Sequence, residues 1–269
     1  MKGQSLKDAL SSMFAASVIV LCAVAAYLIY KYVMGNPVNF EGLNPEGTPI
    51  KGNYLGIIYK GGPIVPVLIT VNLTLLTFIF ERFIMIGRAK GKGSLNSFVR
   101  RLQMFLNENK IEDASALCDK QRGSLANVMK SGLHRYRDLQ DDHTLQNDQK
   151  VLALQKDLEE ATALELPVLS KNLVILSTVA SISVLIGLIG TVLGMIRAFA
   201  ALATSGSPDA LQLATGISEA LVNTAFGITG STFAILFYNY FSSRIDTMTF
   251  KIDEASFSLT STFASTLKK

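Results

Sequence analysis

Four long apolar stretches dominate the pattern of hydrophobic and polar positions along this chain. They lie at about Met13–Val33, Pro63–Ile86, Leu173–Ala203 and Leu211–Tyr240. Each one reaches the roughly 20 residues that a helix needs to cross a bilayer. The pattern therefore predicts an all-α polytopic membrane protein with four transmembrane helices.

The segments between these stretches complete the predicted division of the chain. Membrane helices are predicted over residues 1–34, 62–87, 168–203 and 211–241. Between and after them we predict an external loop over 35–61, a cytoplasmic helical domain over 88–167, an external turn over 204–210 and a cytoplasmic C-terminal helix or tail over 242–269. The loop is dense in Gly, Pro and Asn, so an irregular structure is expected there.

The distribution of charge supports this division and indicates an orientation. Charged residues make up only 17% of the chain, against about 25% in an average soluble domain. Residues 87–171 hold 14 Lys/Arg and 12 Asp/Glu, whereas residues 204–210 hold no Lys or Arg. Because Lys and Arg concentrate on the cytoplasmic side of a membrane, we expect 87–171 and both termini in the cytoplasm. The formal net charge of +4 gives no indication of a nucleic-acid partner.

The first apolar stretch leaves two interpretations open. Lys2 and Lys7 precede it, as they would in the n-region of a cleaved signal peptide. Its apolar run is long for a signal peptide, and no A-x-A cleavage site follows it. These two features favour a membrane helix that remains in the protein.

The sequence offers few groups for catalytic or cofactor chemistry. Cys22 is predicted in the membrane and Cys118 in the cytoplasm, so the two cannot pair. His134 and His143 have no cysteine partner for a zinc site. No Walker loop, dinucleotide fingerprint or nucleophile elbow is present. We therefore expect no cofactor, no enzymatic activity and an energy source other than ATP.

Helical periodicity subdivides the charged segment. Apolar residues recur at helical spacing over Ser94–Asn107, and shorter helices are predicted over Lys110–Cys118 and Ser124–Leu139. A long helix is predicted over Asp142–Leu166, which runs into the third membrane helix with Pro167 at the join. We interpret these helices as a cytoplasmic bundle without chemistry of its own.

Small and polar residues recur in the last two membrane helices. Small residues four positions apart let helix backbones approach closely. Those predicted to serve helix packing are Ser183, Gly187, Gly190, Gly194, Gly216, Ala220 and Gly227. Glu219 and Asn223 share a face of the last helix, and such a face must meet other helices or water rather than lipid.

Polar residues are expected to pair by depth, because these two helices are antiparallel and joined by a turn near residue 207. Thr191 then lies level with Thr224, and Arg197 lies level with Glu219, about two turns nearer the outside. The threonine hydroxyls fit either a water-holding pore or bonds to carbonyls of their own helix. Arg197 and Glu219 could form an ion pair between the helices, Glu219 could lie on a hydrated ion path, or both could hold.

The same two helices resemble a known family. GLIGTVLGMIRAF (187–199) is similar to the family stretch GLLGTVWGxxxxF, and ATGISEALVNTAFGITGSTFAILFYN (214–239) is similar to APGIAEALxATAxGLxxAIPAVxxYN. The two family stretches are those of the ExbB/TolQ/MotA proton-channel superfamily, which this chain therefore resembles. The second membrane helix, with its closing FERF (80–83), resembles the first membrane helix of that family. The likeness covers about residues 61–244 and is greatest to ExbB.

The resemblance implies an assembly and a set of site residues. A homo-pentamer would enclose an ExbD-like or TolR-like partner, whose single membrane span carries a proton-binding Asp. Thr191 and Thr224 match the pore threonines of the family, and Glu219 matches its membrane glutamate. Arg197 and Asn223 depart from the family pattern and are placed in the same proton pathway.

Other departures concern the periphery of the family core. Phe233 replaces a proline of the last helix, which puts a kink there in doubt. The helix over 1–34 and the loop over 35–61 lie outside the three-helix family core, as an extra N-terminal helix and its connection.

Together these features predict the proton-channel or stator subunit of a motor in the bacterial inner membrane. The motor would use the proton motive force to energise TonB-dependent outer-membrane transport through a TonB-like transducer. Three alternatives stay open. One is a TolQ-like subunit of the Tol-Pal envelope system with a TolA-like transducer, and another is a stand-alone ion channel or transporter. The third is a structural membrane scaffold in which the small residues serve packing alone.

Overall fold

The structure, a computed structural model, describes residues 2–142, 144–204 and 210–267. His143 and most of the predicted turn 204–210 lie outside these ranges. Within the described ranges the chain is helical almost throughout and has no β-strand, which confirms the all-α prediction.

Helices follow one another closely along the described chain. α1 spans Lys2–Leu28 and continues as a π-helical segment over Ile29–Met34, α2 spans Tyr54–Tyr59, and α3 spans Val65–Lys90. α4, α5, α6 and α7 span Leu95–Asn107, Ile111–Gln121, Ser124–Asp141 and Asn147–Ser170. α8 spans Leu173–Thr204, and α9 spans Ala210–Thr266.

Four helical stretches are long and apolar enough to cross a membrane. The first is Ala15–Met34, and the others lie within Gly62–Asn107, Asn147–Ala200 and Gln212–Thr266. This agrees with the four membrane helices expected from the sequence. The chain is an integral membrane protein.

The chain divides into two compact units. The membrane unit comprises Met1–Ile79 and Val174–Tyr238, and the helical unit comprises Phe80–Leu173 and Asn239–Lys269. In the membrane unit the N-terminal helix packs against α3 through a small buried cluster that includes Ala26, Met34, Val65 and Ile69. The N-terminal helix is therefore part of the fold of this unit.

The helical unit has a continuous apolar core to which the end of α9 contributes. Ile252, Leu259 and Phe263 recur on one face of α9 and are fully or almost fully buried. The ring of Phe263 lies 4.6 Å from that of Tyr136, whose hydroxyl lies 3.1 Å from the hydroxyl of Thr266. The C-terminal segment, expected as a helix or a tail, is thus a core helix.

The boundaries of α7 differ from the sequence expectation at both ends. The helix begins at Asn147 rather than Asp142, because Gln146 forms a capping box with Gln149. Pro167 lies inside the helix, and the predicted join at this residue is wrong. The break comes at Asn172, whose φ of 62° lies in the left-handed region that Asn tolerates better than most residues.

A buried arginine closes the C-terminal end of α7. Arg82 is fully buried and forms a two-pronged pair with the neighbouring Glu81, at 2.5 and 2.6 Å. Its Nη1 also donates to the carbonyl of Leu169 over 3.3 Å. That carbonyl belongs to the last turn of α7, where no further helical N–H can reach it. The arginine thus links α3 to the end of α7 inside the helical unit.

Removal of this arginine should destabilise the protein strongly. Arg82→Ala leaves the partly exposed Glu81 carboxylate and the Leu169 carbonyl without their buried donor, a loss of about 1–3 kcal/mol. Thermal unfolding in detergent, followed by circular dichroism, measures the effect. Arg137→Ala is the control, because Arg137 and Glu112 form an exposed pair worth about 0–1 kcal/mol. Equal melting temperatures for the two variants would contradict the role of Arg82.

The cysteine of the helical unit should be chemically inert. Cys118 is 2% exposed, and burial raises the pKa of its thiol to about 12. Because the thiolate is the reactive form, N-ethylmaleimide should leave Cys118 unmodified in folded Cys22→Ala protein at neutral pH. Mass spectrometry should detect the adduct only after denaturation. Rapid modification of the folded protein would show that this core opens.

Candidate functional site

Glycines bring α8 and α9 into close contact. A Cβ atom on Gly194 would lie 2.8 Å from the carbonyl oxygen of Gly216, and one on Gly227 would lie 2.7 Å from that of Ser183. Side chains do not fit at such separations, so the glycines set the distance between the helices. All of the residues predicted for helix packing lie along this contact: Ser183, Gly187, Gly190, Gly194, Gly216, Ala220 and Gly227.

Thr191 and Thr224 meet across this contact. The hydroxyl oxygens of Thr191 and Thr224 lie 2.5 Å apart, which confirms that the two residues share a level. Each hydroxyl also lies 3.1 Å from a carbonyl of its own helix, that of Gly187 or Ala220. Bonds to carbonyls of the same helix, one of the two arrangements that the sequence left open, are therefore present.

The two threonine hydroxyls have two protons for three possible hydrogen bonds, so the hydrogen bond between them can run in either direction. When Thr191 donates to Thr224, only Thr224 can donate to a carbonyl, and the reverse holds when Thr224 donates. The two proton arrangements use the same positions of the heavy atoms. A pair of this kind can accept a hydrogen bond on one side and donate one on the other.

The charged pair is also present. Arg197 Nη1 donates to Glu219 Oε1, as expected for residues at one level. The side chain of Glu219 is 6% exposed, whereas that of Arg197 is 47% exposed. The carboxylate is therefore buried behind a guanidinium that remains open to its surroundings.

A turn before α3 supplies a third wall that sequence reasoning did not identify. Asn223 Nδ2 donates to the carbonyl of Gly61 over 2.9 Å. Gly62 has a φ of 79°, and a Cβ atom on it would overlap the carboxylate of Glu219. A side chain on Gly190 would in turn collide with Asn223. The doublet Gly61-Gly62 before Pro63 was the available sequence signal, but it also fits an ordinary turn.

Two buried polar atoms in the membrane unit have no hydrogen-bond partner among the described residues. They are Asn223 Oδ1 and Ser183 Oγ. Ser231, by contrast, donates to the carbonyl of Ala180 over 2.6 Å. Buried polar groups without a protein partner are typical positions for ordered water. The interior of the membrane unit thus contains polar atoms that could hydrogen-bond to water.

A cavity of about 600 Å³ lies beside the charged pair within the membrane unit. We call it the loop cavity, and it is lined by residues 46–52, 57 and 60 on one wall and by residues 197, 212, 214–216, 218 and 219 on the other. Arg197 and Glu219 are both part of its lining. Among the described residues, no group of His, Cys, Asp and Glu side chains forms a metal site.

Gly62 can be tested as a residue that leaves space for Glu219. Gly62→Ala places an alanine in the left-handed region, which destabilises the fold by about 1 kcal/mol. The added Cβ also collides with the carboxylate of Glu219, which destabilises it by about 1–3 kcal/mol more. Gly52→Ala is the matched control, because Gly52 has a φ of 83° and nothing within 4 Å of the added atom. Thermal unfolding should show a clearly larger loss for Gly62→Ala. Equal losses would mean that only backbone strain matters at Gly62.

Comparison with known proteins places these residues in a family context. The model of the MotA/TolQ/ExbB proton channel family matches residues 120–254, half of the chain, and this range includes Thr191, Arg197, Glu219 and Thr224. A putative ExbB-like biopolymer transport protein of Synechocystis is 40% identical over 88 residues, which cover 32% of this chain and 42% of that protein.

Two further relatives carry TolQ and ExbB names. The Tol-Pal system protein TolQ of Pseudomonas aeruginosa is 27% identical over 179 residues, covering 66% of this chain and 76% of that protein. The biopolymer transport protein ExbB of Salmonella typhimurium is 37% identical over 70 residues, covering 26% of this chain and 29% of that protein. With the family match over half of its length, the chain belongs to the MotA/TolQ/ExbB proton channel family.

Proposed function

We propose that this protein is the proton-channel or stator subunit of a motor in the bacterial inner membrane, and that it energises TonB-dependent outer-membrane transport. The contact between the hydroxyls of Thr191 and Thr224 carries the proposal. The charged pair of Arg197 and Glu219 lies about 9 Å further along the same helices, at 1.5 Å per residue. Hydroxyl and carboxylate groups in this order, in a protein of this family, suit the transfer of protons.

The channel needs an acidic group from a partner. α8 contains no Asp or Glu, and Glu219 is the only acidic residue between 210 and 241. An ExbD-like subunit with one membrane span would supply an Asp beside the two threonines. An unpaired carboxylate in hydrocarbon is costly, and hydroxyls near it lower that cost.

The assembly that we propose is a homo-pentamer around this partner in the lipid bilayer. Both termini and the segment 88–167 lie in the cytoplasm, and the loop 35–61 and the turn 204–210 lie outside. Residues 1–34, 62–87, 168–203 and 211–241 then cross the membrane, and 242–269 return to the cytoplasm. The predicted orientation rests on the Lys and Arg residues of the charged segment.

A second candidate function is that of a TolQ-like subunit, which would act with TolR-like and TolA-like proteins. The match to TolQ of Pseudomonas aeruginosa favours it, because that match covers 66% of this chain and the match to ExbB of Salmonella typhimurium covers 26%. Co-purification with an ExbD-like or a TolR-like protein distinguishes the two branches.

The threonine pair should control proton flux in vesicles that contain the protein and its partner. Thr191→Ala/Thr224→Ala removes both hydroxyls from the path, so we expect the flux to fall several-fold. A pH-sensitive dye inside the vesicles measures it. The control is Thr178→Ala/Thr232→Ala, because these threonines of α8 and α9 are exposed and each donates to a carbonyl of its own helix.

Two outcomes would contradict this proposal. If both double variants conduct like the parent protein, the threonines have no part in the path. If the parent protein conducts equally well without any partner, the protein is a stand-alone ion channel or transporter and not a motor subunit.

A further inference from the structure

The loop 35–61 has an ordered structure held by its own asparagines. Asn39 is 7% exposed, and its Nδ2 donates to the carbonyls of Val33 and Met34 over 2.8 and 2.9 Å. Its Oδ1 accepts a hydrogen bond from Asn53 over 2.9 Å, and Asn53 also caps the N-terminus of α2. The irregular loop expected from the sequence is thus a defined element fixed to the end of the N-terminal helix.

Aromatic contacts hold the loop against the end of the N-terminal helix. The rings of Tyr30 and Tyr59 stack at 4.7 Å, and the hydroxyl of Tyr30 donates to the carbonyl of Tyr59 over 3.1 Å. Phe40 is 1% exposed, lies against Tyr59 and carries the ammonium of Lys60 over its ring at 5.6 Å. The extra N-terminal helix thereby fixes the position of the loop.

This fixed loop forms one wall of the loop cavity, and the charged pair lies in the other. Lys60 donates to the carbonyl of Glu46 over 2.8 Å, which ties the two ends of that wall together. Burial lowers the pKa of Lys60. The charged side chains that line the cavity are Glu46, Lys51, Lys60, Arg197 and Glu219. A cavity of this size and polarity can hold water.

Two polar groups mark the route that water in the cavity would take, namely the half-exposed guanidinium of Arg197 and an unpartnered acceptor of Asn223. Arg197 is half-exposed, whereas Glu219 behind it is buried. Asn223, one turn further along α9, has a fully buried Oδ1 without a partner among the described residues. The family match begins at residue 120, so it gives no role to the loop.

We propose that the loop 35–61 and the N-terminal helix form a water-filled entrance, through which protons from outside reach Arg197 and Glu219. This inference rests on the proposed function and adds an element of this chain to it. The loop is then a functional part of the channel, since it sets the width and the charge of the entrance. The bound species is water, which carries protons along its hydrogen bonds.

Access to the entrance can be measured without any proton flux. The reporter is Ser218→Cys, which lines the loop cavity, in the full-length protein with Cys22→Ala and Cys118→Ala. A positively charged, membrane-impermeant methanethiosulfonate is added to spheroplasts, where it reaches only the outer face. We expect rapid labelling of the reporter, and a several-fold slower reaction when Ile50→Trp fills the cavity. Val38→Trp is the control, because Val38 is an exposed residue of the same loop away from the cavity.

Flux through vesicles with the partner is measured on the same tryptophan variants in the native serine background. We expect Ile50→Trp to lower it several-fold and Val38→Trp to leave it unchanged. An unlabelled reporter, equal labelling rates in the two tryptophan variants, or an equal effect of both on flux would overturn the entrance. Absence of flux in every variant would refute the proposed function instead, while the labelling rates still decide whether water enters.

Discussion

The short distance between α8 and α9 is the constraint on which the site depends. Lipid tails are as apolar as the side chains of a membrane helix, so helices associate there through close packing and hydrogen bonds. Glycine at Gly194, Gly216 and Gly227 permits this packing. Only at such a distance do the short side chains of Thr191 and Thr224 reach one another.

Close packing alone would leave many polar groups without partners, and several of them instead have a hydrogen-bond partner on a neighbouring element. Arg197 neutralises Glu219, Asn223 reaches the carbonyl of Gly61, and Ser231 reaches that of Ala180. The turn before α3 is essential to this arrangement, because it receives Asn223 and leaves room for the carboxylate at Gly62. The site therefore belongs to three elements of the membrane unit rather than to a pair of helices.

The N-terminal helix and its loop extend the same principle to the surface. Asn39 donates hydrogen bonds to backbone carbonyls at the end of that helix, and the contact between Phe40 and Tyr59 orders the loop. An added helix on a membrane protein often serves only as an anchor. Here its loop also lines the cavity beside Glu219.

The sequence by itself determined the membrane helices and the pairing of the polar residues on α8 and α9. Helices satisfy their backbone hydrogen bonds locally, and their rise per residue is fixed, so an apolar run and its depth can be read from position alone. Only the tertiary structure decided that Asn223 bonds to Gly61, 162 residues away, and that Gly62 packs against Glu219. It also placed the end of α7 at Ser170 instead of Pro167, where Arg82 of α3 donates to the carbonyl of Leu169. These contacts depend on how distant segments pack together, which no local pattern specifies.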